Sequence, residues 1–217
     1  MRFWKFRWLA LLAILALALT ACSMSGDDDD AQDTPTQSAT AVIDTTTTGE
    51  IQLTQSITTE NGTITVSYPD GWAAQEVFGS ITLTNNLALL DSATQTVGTG
   101  NLVGNVNYVV SLNLADFGLE EGATPLEVLT ALQTLETDLP VISPPTAFDA
   151  NGKAAAISTV ALTLDGQSAD SVIVILDAQD GYGQLSFIVS PGEAATFEPT
   201  IRAIAGTFIY TPGESQG

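Results

Sequence analysis

This chain of 217 residues has no histidine, one cysteine, and five basic residues against 25 acidic ones. Each shortage removes a class of function. Without His, the common neutral-pH general base and the commonest zinc ligand are missing. Ser-His-Asp and Cys-His nucleophilic sites are therefore excluded. A single Cys can close no internal disulfide, so stability has to come from an apolar core. The length beyond the first fifty residues is enough to bury one. The scarcity of Lys and Arg excludes nucleic acid as a partner, because phosphate binding depends on basic side chains displacing counterions. Tryptophan is scarce too: Trp4 and Trp8 lie at the very start, which leaves Trp72.

What basic charge there is sits mostly at the N-terminus. Arg2, Lys5 and Arg7 precede an apolar run from Trp8 to Leu19, and Leu19-Thr20-Ala21-Cys22 follows. A basic start, a short apolar stretch and small residues at its end are the pattern of a secretory signal. A permanent membrane span needs about 20 apolar residues. This run is shorter and leads into an acidic segment rather than a basic flank.

Leu19-Thr20-Ala21-Cys22 resembles the lipobox of bacterial lipoproteins. The resemblance implies a diacylglyceryl thioether on Cys22 and cleavage between Ala21 and Cys22, so that residues 1–21 are removed. Cys22 being the only cysteine favours this over a chance Cys beside an ordinary cleavage site. Each buried methylene contributes about 0.8 kcal/mol to membrane binding and one chain anchors only marginally. The two or three acyl chains of the family, palmitate among them, would anchor stably. In Gram-negative members an Asp after the Cys favours the inner membrane. Here that residue is Ser23, which leaves both the cell membrane and the outer membrane open.

Loss of residues 1–21 leaves Lys153 and Arg202 against all 25 acids, a formal charge of −23. Such a body is repelled by anionic lipid headgroups, and it suits a basic or cationic partner. Residues 22–49 read as the lipidated Cys and a linker, with Asp27–Asp30 and then a stretch rich in Thr, Gln, Ser and Ala. Too little there is apolar to offset the entropy of ordering. A flexible chain of that length spans about 30 Å r.m.s.. The Asp run reads as a solvated spacer, since calcium loops space their ligands around a Gly turn.

From residue 50 the pattern becomes that of a folded domain, expected over 50–211 with a tail at 212–217. Residues 63–68 alternate apolar and polar, which predicts a half-buried strand. Pro69-Asp70-Gly71 predicts a turn, and strands are expected over 73–77 and 80–84. A short helical turn is expected over 85–90 and a Gly-rich loop over 94–104, then an apolar strand over 106–114. Thr124-Pro125-Leu126-Glu127 is a capping box with Pro at the first helical position. It predicts a helix over 125–137 with Leu126, Leu129, Leu132 and Leu135 on one face, stopped by Pro140, Pro144 and Pro145. Asn151-Gly152 and Asp180-Gly181 predict hairpins between strands 147–150 and 153–164, and between 171–178 and 182–189. Ser190-Pro191-Gly192-Glu193 repeats the capping pattern before a helix marked by Phe197, Ile201 and Ile204. Pro199 is expected to kink it or mark its regular start. Helices segregated from antiparallel strand pairs argue an α+β fold.

The run Ile64-Thr65-Val66-Ser67-Tyr68-Pro69-Asp70-Gly71-Trp72, followed by a strand ending Leu83-Thr84-Asn85, resembles the start of PsbP/Mog1-type domains. The later order of strand, helix, antiparallel strands and C-terminal helix is similar as well. The resemblance covers about residues 50–211 and implies an α/β/α sandwich around an antiparallel sheet. Members are mostly binding or assembly proteins: photosystem II extrinsic subunits, a nuclear transport factor that binds a small GTPase, and bacterial lipoproteins. The basic residues of the photosynthetic members have no match here, so that role is not carried over.

No catalytic residues, metal ligands or cofactor are expected. A Ser-Lys dyad would have to use Lys153, which is expected in solvent at a hairpin end. Asp149, Asp165, Asp170, Asp177 and Asp180 are expected at or near turns, where Asp is favoured for backbone reasons. Tyr68 and Trp72 are candidates for a ligand groove, against the plainer reading that Trp72 anchors the core. Asn61-Gly62-Thr63 matches a glycosylation pattern, but behind a bacterial lipobox it reads as a turn. The expected function is a membrane-tethered, non-catalytic binding or assembly module at the cell envelope. Its alternatives are an envelope hydrolase using paired carboxylates and a divalent-cation-binding protein.

Overall fold

The chain divides into two units, Met1–Gly49 and Glu50–Gly217, and the elements described below belong to the second. A computed structural model describes residues 51–90, 97–109, 114–135 and 138–212. The expectations for the signal, Cys22 and the linker lie outside the described residues, as do those for 91–96, 110–113, 136–137 and the end of the tail.

The strands are β1 Gln55–Thr58, β2 Ile64–Tyr68, β3 Ala73–Val77, β4 Ser80–Thr84, β5 Leu102–Val109, β6 Val141–Asp149, β7 Ala154–Leu164, β8 Gln167–Ala178, β9 Gly181–Val189 and β10 Ile209–Tyr210. The helices are α1 Pro125–Leu135 and α2 Ala194–Thr207. A seven-stranded antiparallel sheet has the order β3-β4-β5-β9-β8-β7-β6, and a small sheet has the order β1-β2-β10.

Alternation along the central strands sets the layers. Ala155, Ile157, Val172, Val174 and Leu176 join the large core with Phe197, Ile201 and Ile204 of α2 and with Ile64 and Val66 of β2. Their neighbours Ala156 and Ile175 pack instead with Val128 and Leu129 of α1. Successive side chains of a strand point to opposite faces, so α1 and α2 cover opposite sides of the large sheet. This is the α+β architecture with an antiparallel sheet flanked by helices. It explains why β7 and β8 read as nearly continuous apolar runs rather than as clean alternation. Residues such as Leu185 and Phe187 have no exposure, and each contributes about 1.5–3 kcal/mol by burial.

The capping box forms as expected. The Glu127 carboxylate accepts from the N–H and the hydroxyl of Thr124, both at 2.8 Å, and Thr124 Oγ1 accepts from the Glu127 N–H at 3.3 Å. The Asn151–Gly152 turn also forms, with both residues at positive φ.

Several expectations are corrected. Gly104 is not in a loop: it lies in β5, which begins at Leu102 rather than at 106, and Leu114 starts a 3-10 turn. The buried face of α1 is Pro125, Val128 and Leu129, while Leu135 is 57% exposed. Steps of three residues fall about 60° short of a full turn each, so the leucines drift off the buried face. Pro144 and Pro145 lie within β6, whose pairing with β7 shifts register on either side of Ser143. Edge position and bulging make missing N–H groups tolerable. The β8–β9 turn is Gln179–Asp180, with Gly181 already in the strand. A further hairpin at Asp165–Gly166 makes β8 begin at Gln167. Ser190 caps no helix: its hydroxyl donates to Val97 O at 2.8 Å. Pro199 sits inside α2 without ending it.

Candidate functional site

Three segments meet at one end of the large sheet. The Asn151–Gly152 turn places Lys153 there, the Gln179–Asp180 turn places the end of β8, and α2 hands the chain on to β10. Lys153, Asp177, Ala178, Gln179, Ile209 and Tyr210, with Phe208 as floor, line an open groove of about 360 Å³. Phe208 is buried, and Ile209 is 56% exposed at the rim.

The groove wall is built by aromatic packing. Tyr108 of β5 stacks on Tyr210 with ring centroids 3.3 Å apart and 12° between planes. The Tyr108 hydroxyl donates to the backbone carbonyl of Gln179. Burial, then the neighbouring Tyr210 and Asp180, raise the Tyr108 pKa above the usual phenol value. Gly181 has to be glycine here, because a Cβ would lie 2.5 Å from Val109 O and 2.8 Å from Tyr108 Oη.

Lys153 does not stand free in solvent, contrary to expectation. It is half-buried, and its Nζ donates to Gly206 O at 3.2 Å. That carbonyl belongs to the last turn of α2, where orphan carbonyls and the helix dipole favour a cation. Burial lowers the Lys153 pKa, partly offset by Asp149. Among the described residues, the one carboxylate in the groove lining is Asp177, whose pKa burial raises. The groove can therefore offer one ammonium already engaged, one carboxyl and an apolar rim.

The other acids are dispersed. Asp149 accepts from the Gly152 N–H at 2.9 Å, and Asp165 and Asp180 hold positive φ in their turns. Asp170 lies inside β8 rather than near a turn, while Asp177 is next to the last residue of β8, beside the Gln179–Asp180 turn. Asp170 is 4% exposed and accepts from the Gly192 N–H at 2.7 Å. Tyr68 and Trp72 are half-buried and packed against the large core, and neither lines the groove. Asn61-Gly62-Thr63 forms a turn in which Asn61 Oδ1 accepts from the Thr63 N–H at 3.1 Å. Sequence reading missed the Tyr108–Tyr210 pair because the two are joined only by folding, although both sit in apolar strand patterns.

No protein-family model matches the chain, and no curated protein does. Solved structures are similar in fold. A protein of Bacteroides thetaiotaomicron is 15% identical with a TM-score of 0.45, over 74% of this chain and 50% of that one. The chain thus spans half the length of that protein. Cyanobacterial PsbP (CyanoP) from Synechocystis is 14% identical with a TM-score of 0.44, over 76% and 95% of the two chains. LpqN, a protein involved in cell envelope biogenesis of Mycobacterium tuberculosis, is 14% identical with a TM-score of 0.41, over 73% and 90%.

Proposed function

We propose that this chain is a lipid-anchored, extracytoplasmic binding module. It is cleaved after Ala21, acylated on Cys22, and held at the outer face of the cell membrane or at the outer membrane, where it binds a basic protein or envelope component without catalysing a reaction. The observation that carries the reading is Leu19-Thr20-Ala21-Cys22, holding the only cysteine, at the end of a basic and then apolar N-terminus. Further support comes from the charge of the body and from Lys153, whose ammonium is committed to the end of α2.

The test is Cys22→Ser in the native host. The wild-type chain should partition into detergent and begin, by mass spectrometry, at an acylated Cys22. The variant should remain unprocessed or be released into the aqueous phase. Unchanged size and unchanged membrane association in the variant would defeat the anchor. For the binding role, chemical crosslinking of cells should yield one stoichiometric partner with a basic surface.

A further inference from the structure

Among the described residues, four two-residue hairpin turns with residues at positive φ join neighbouring strands of the large sheet. Three of them hold small polar residues in the left-handed region: Asn151 at φ 57°, Asp165 at φ 49° and Asp180 at φ 60°. Asn and Asp tolerate that region, which is costly for bulky side chains. The fourth, between β3 and β4, has Phe78 at φ 51° followed by Gly79 at φ 79°. Phe78 is also 88% exposed. Local backbone preference and core packing both argue against Phe here, so neither explains it.

The turn is braced rather than loose. The Glu76 carboxylate accepts from the Gly79 N–H at 2.6 Å. The neighbouring β1–β2 turn comes close, with Asn61 Nδ2 3.9 Å from where a Gly79 Cβ would stand. That turn is itself pinned by Asn61 Oδ1, which accepts from the Thr59 and Thr63 hydroxyls at 2.7 Å each. It also carries the exposed Glu60. An outward aromatic ring thus stands on a braced tip, with Glu76 in its own hairpin and Glu60 in the neighbouring turn, on a body with two basic side chains after residue 21. Strain of this kind marks a functional position when the surroundings enforce it.

We propose that Phe78 is an anchor that seats in an apolar socket on a protein partner, and that Lys or Arg side chains rim that socket to meet Glu60 and Glu76. This deepens the binding reading above and rests on it. A bare aromatic on an acidic body, with Glu60 and Glu76 in the two adjoining turns, suits a basic protein better than a lipid surface, because anionic headgroups would repel the acids. Anchors of this type dominate interface energies, and flanking charges steer the encounter.

The experiment uses the full lipidated chain in its host, with the photoreactive p-benzoyl-phenylalanine at position 78 and, separately, at position 209 in the groove. A discrete adduct at 78 is expected, identified by mass spectrometry. The captured protein, purified, should bind wild type at least about tenfold more tightly than Phe78→Asn. Glu60→Gln with Glu76→Gln should also weaken it, with a smaller salt dependence. Phe78→Asn should melt at the same temperature as wild type or higher, since Asn suits the turn. A melting temperature several degrees lower would show that the ring supports the fold, and overturn the proposal. A phospholipid adduct at position 78, or an adduct with a second copy of the chain, would overturn it too. An adduct at 209 without one at 78 sinks the anchor and leaves the binding module standing. Adducts at neither position count against both.

Discussion

Gly104 and Gly183 have no side chain because aromatic rings occupy the space. A Cβ on Gly104 would stand 2.6 Å from Phe187 Cγ and 2.7 Å from Ser186 O. One on Gly183 would stand 2.8 Å from Phe208 Cε1 and 2.9 Å from Leu176 Cδ2. Phe187 and Phe208 are themselves buried, so neither can swing away cheaply. Gly183→Ala is expected to destabilise the fold by about 1–3 kcal/mol, read from urea denaturation midpoints at constant slope. Asp177 offers a pH test. Burial raises its pKa, so the folded chain holds that proton to higher pH than the unfolded chain. Its contribution to stability is complete below the unfolded carboxylate pKa and is lost as pH rises through the folded value. Asp177→Asn should therefore raise the melting temperature at pH 7, with little effect at pH 3. Glu127 works in the opposite sense. Its bonds to Thr124 lower its pKa, and its contribution is lost as pH falls through the folded value.

At the scale of elements, α2 shows how packing overrides local preference. Pro199 cannot donate to the carbonyl four residues before it, and yet the helix runs unbroken from Ala194 to Thr207. Phe197, Ile201, Ile204 and Ala205 are buried on one side, and that apolar stripe outweighs one missing hydrogen bond. On the other side, Arg202 Nη2 meets Glu198 Oε1 at 2.7 Å, and its guanidinium lies over the Phe148 ring at 4.3 Å. Pro199 is exposed, so Pro199→Ala should restore the bond without disturbing the core. A rise in thermal stability of about 1 kcal/mol or more is expected; a fall would mean that Pro acts mainly by restricting the unfolded chain. The edge strands are guarded unequally. β6 has two prolines and two register shifts, which discourage added strands, whereas β3 is short and ends at the Phe78 tip.

For the whole molecule, charge is the distinctive property. A body this acidic repels itself, and salt screens that repulsion over a Debye length of about 10 Å at 0.1 M. Raising NaCl from about 0.01 M to 0.15 M should therefore raise the melting temperature, and differential scanning calorimetry would show it. Amino-acid order alone determined the features that depend on near neighbours. These are the capping box of Thr124 and Glu127, the Asn151–Gly152 hairpin, the alternating β2 and β4, and the α+β class that follows from segregated helices and strand pairs. Only the tertiary structure decided what depends on distant segments. It made Gly104 a strand residue under Phe187, joined Tyr108 to Tyr210, drew Lys153 from solvent to the end of α2, and kept Pro199 inside a helix. In each case the interaction, apolar burial or for Lys153 a hydrogen bond to the Gly206 carbonyl, is with residues tens of positions away or more, where periodicity and turn chemistry carry no information.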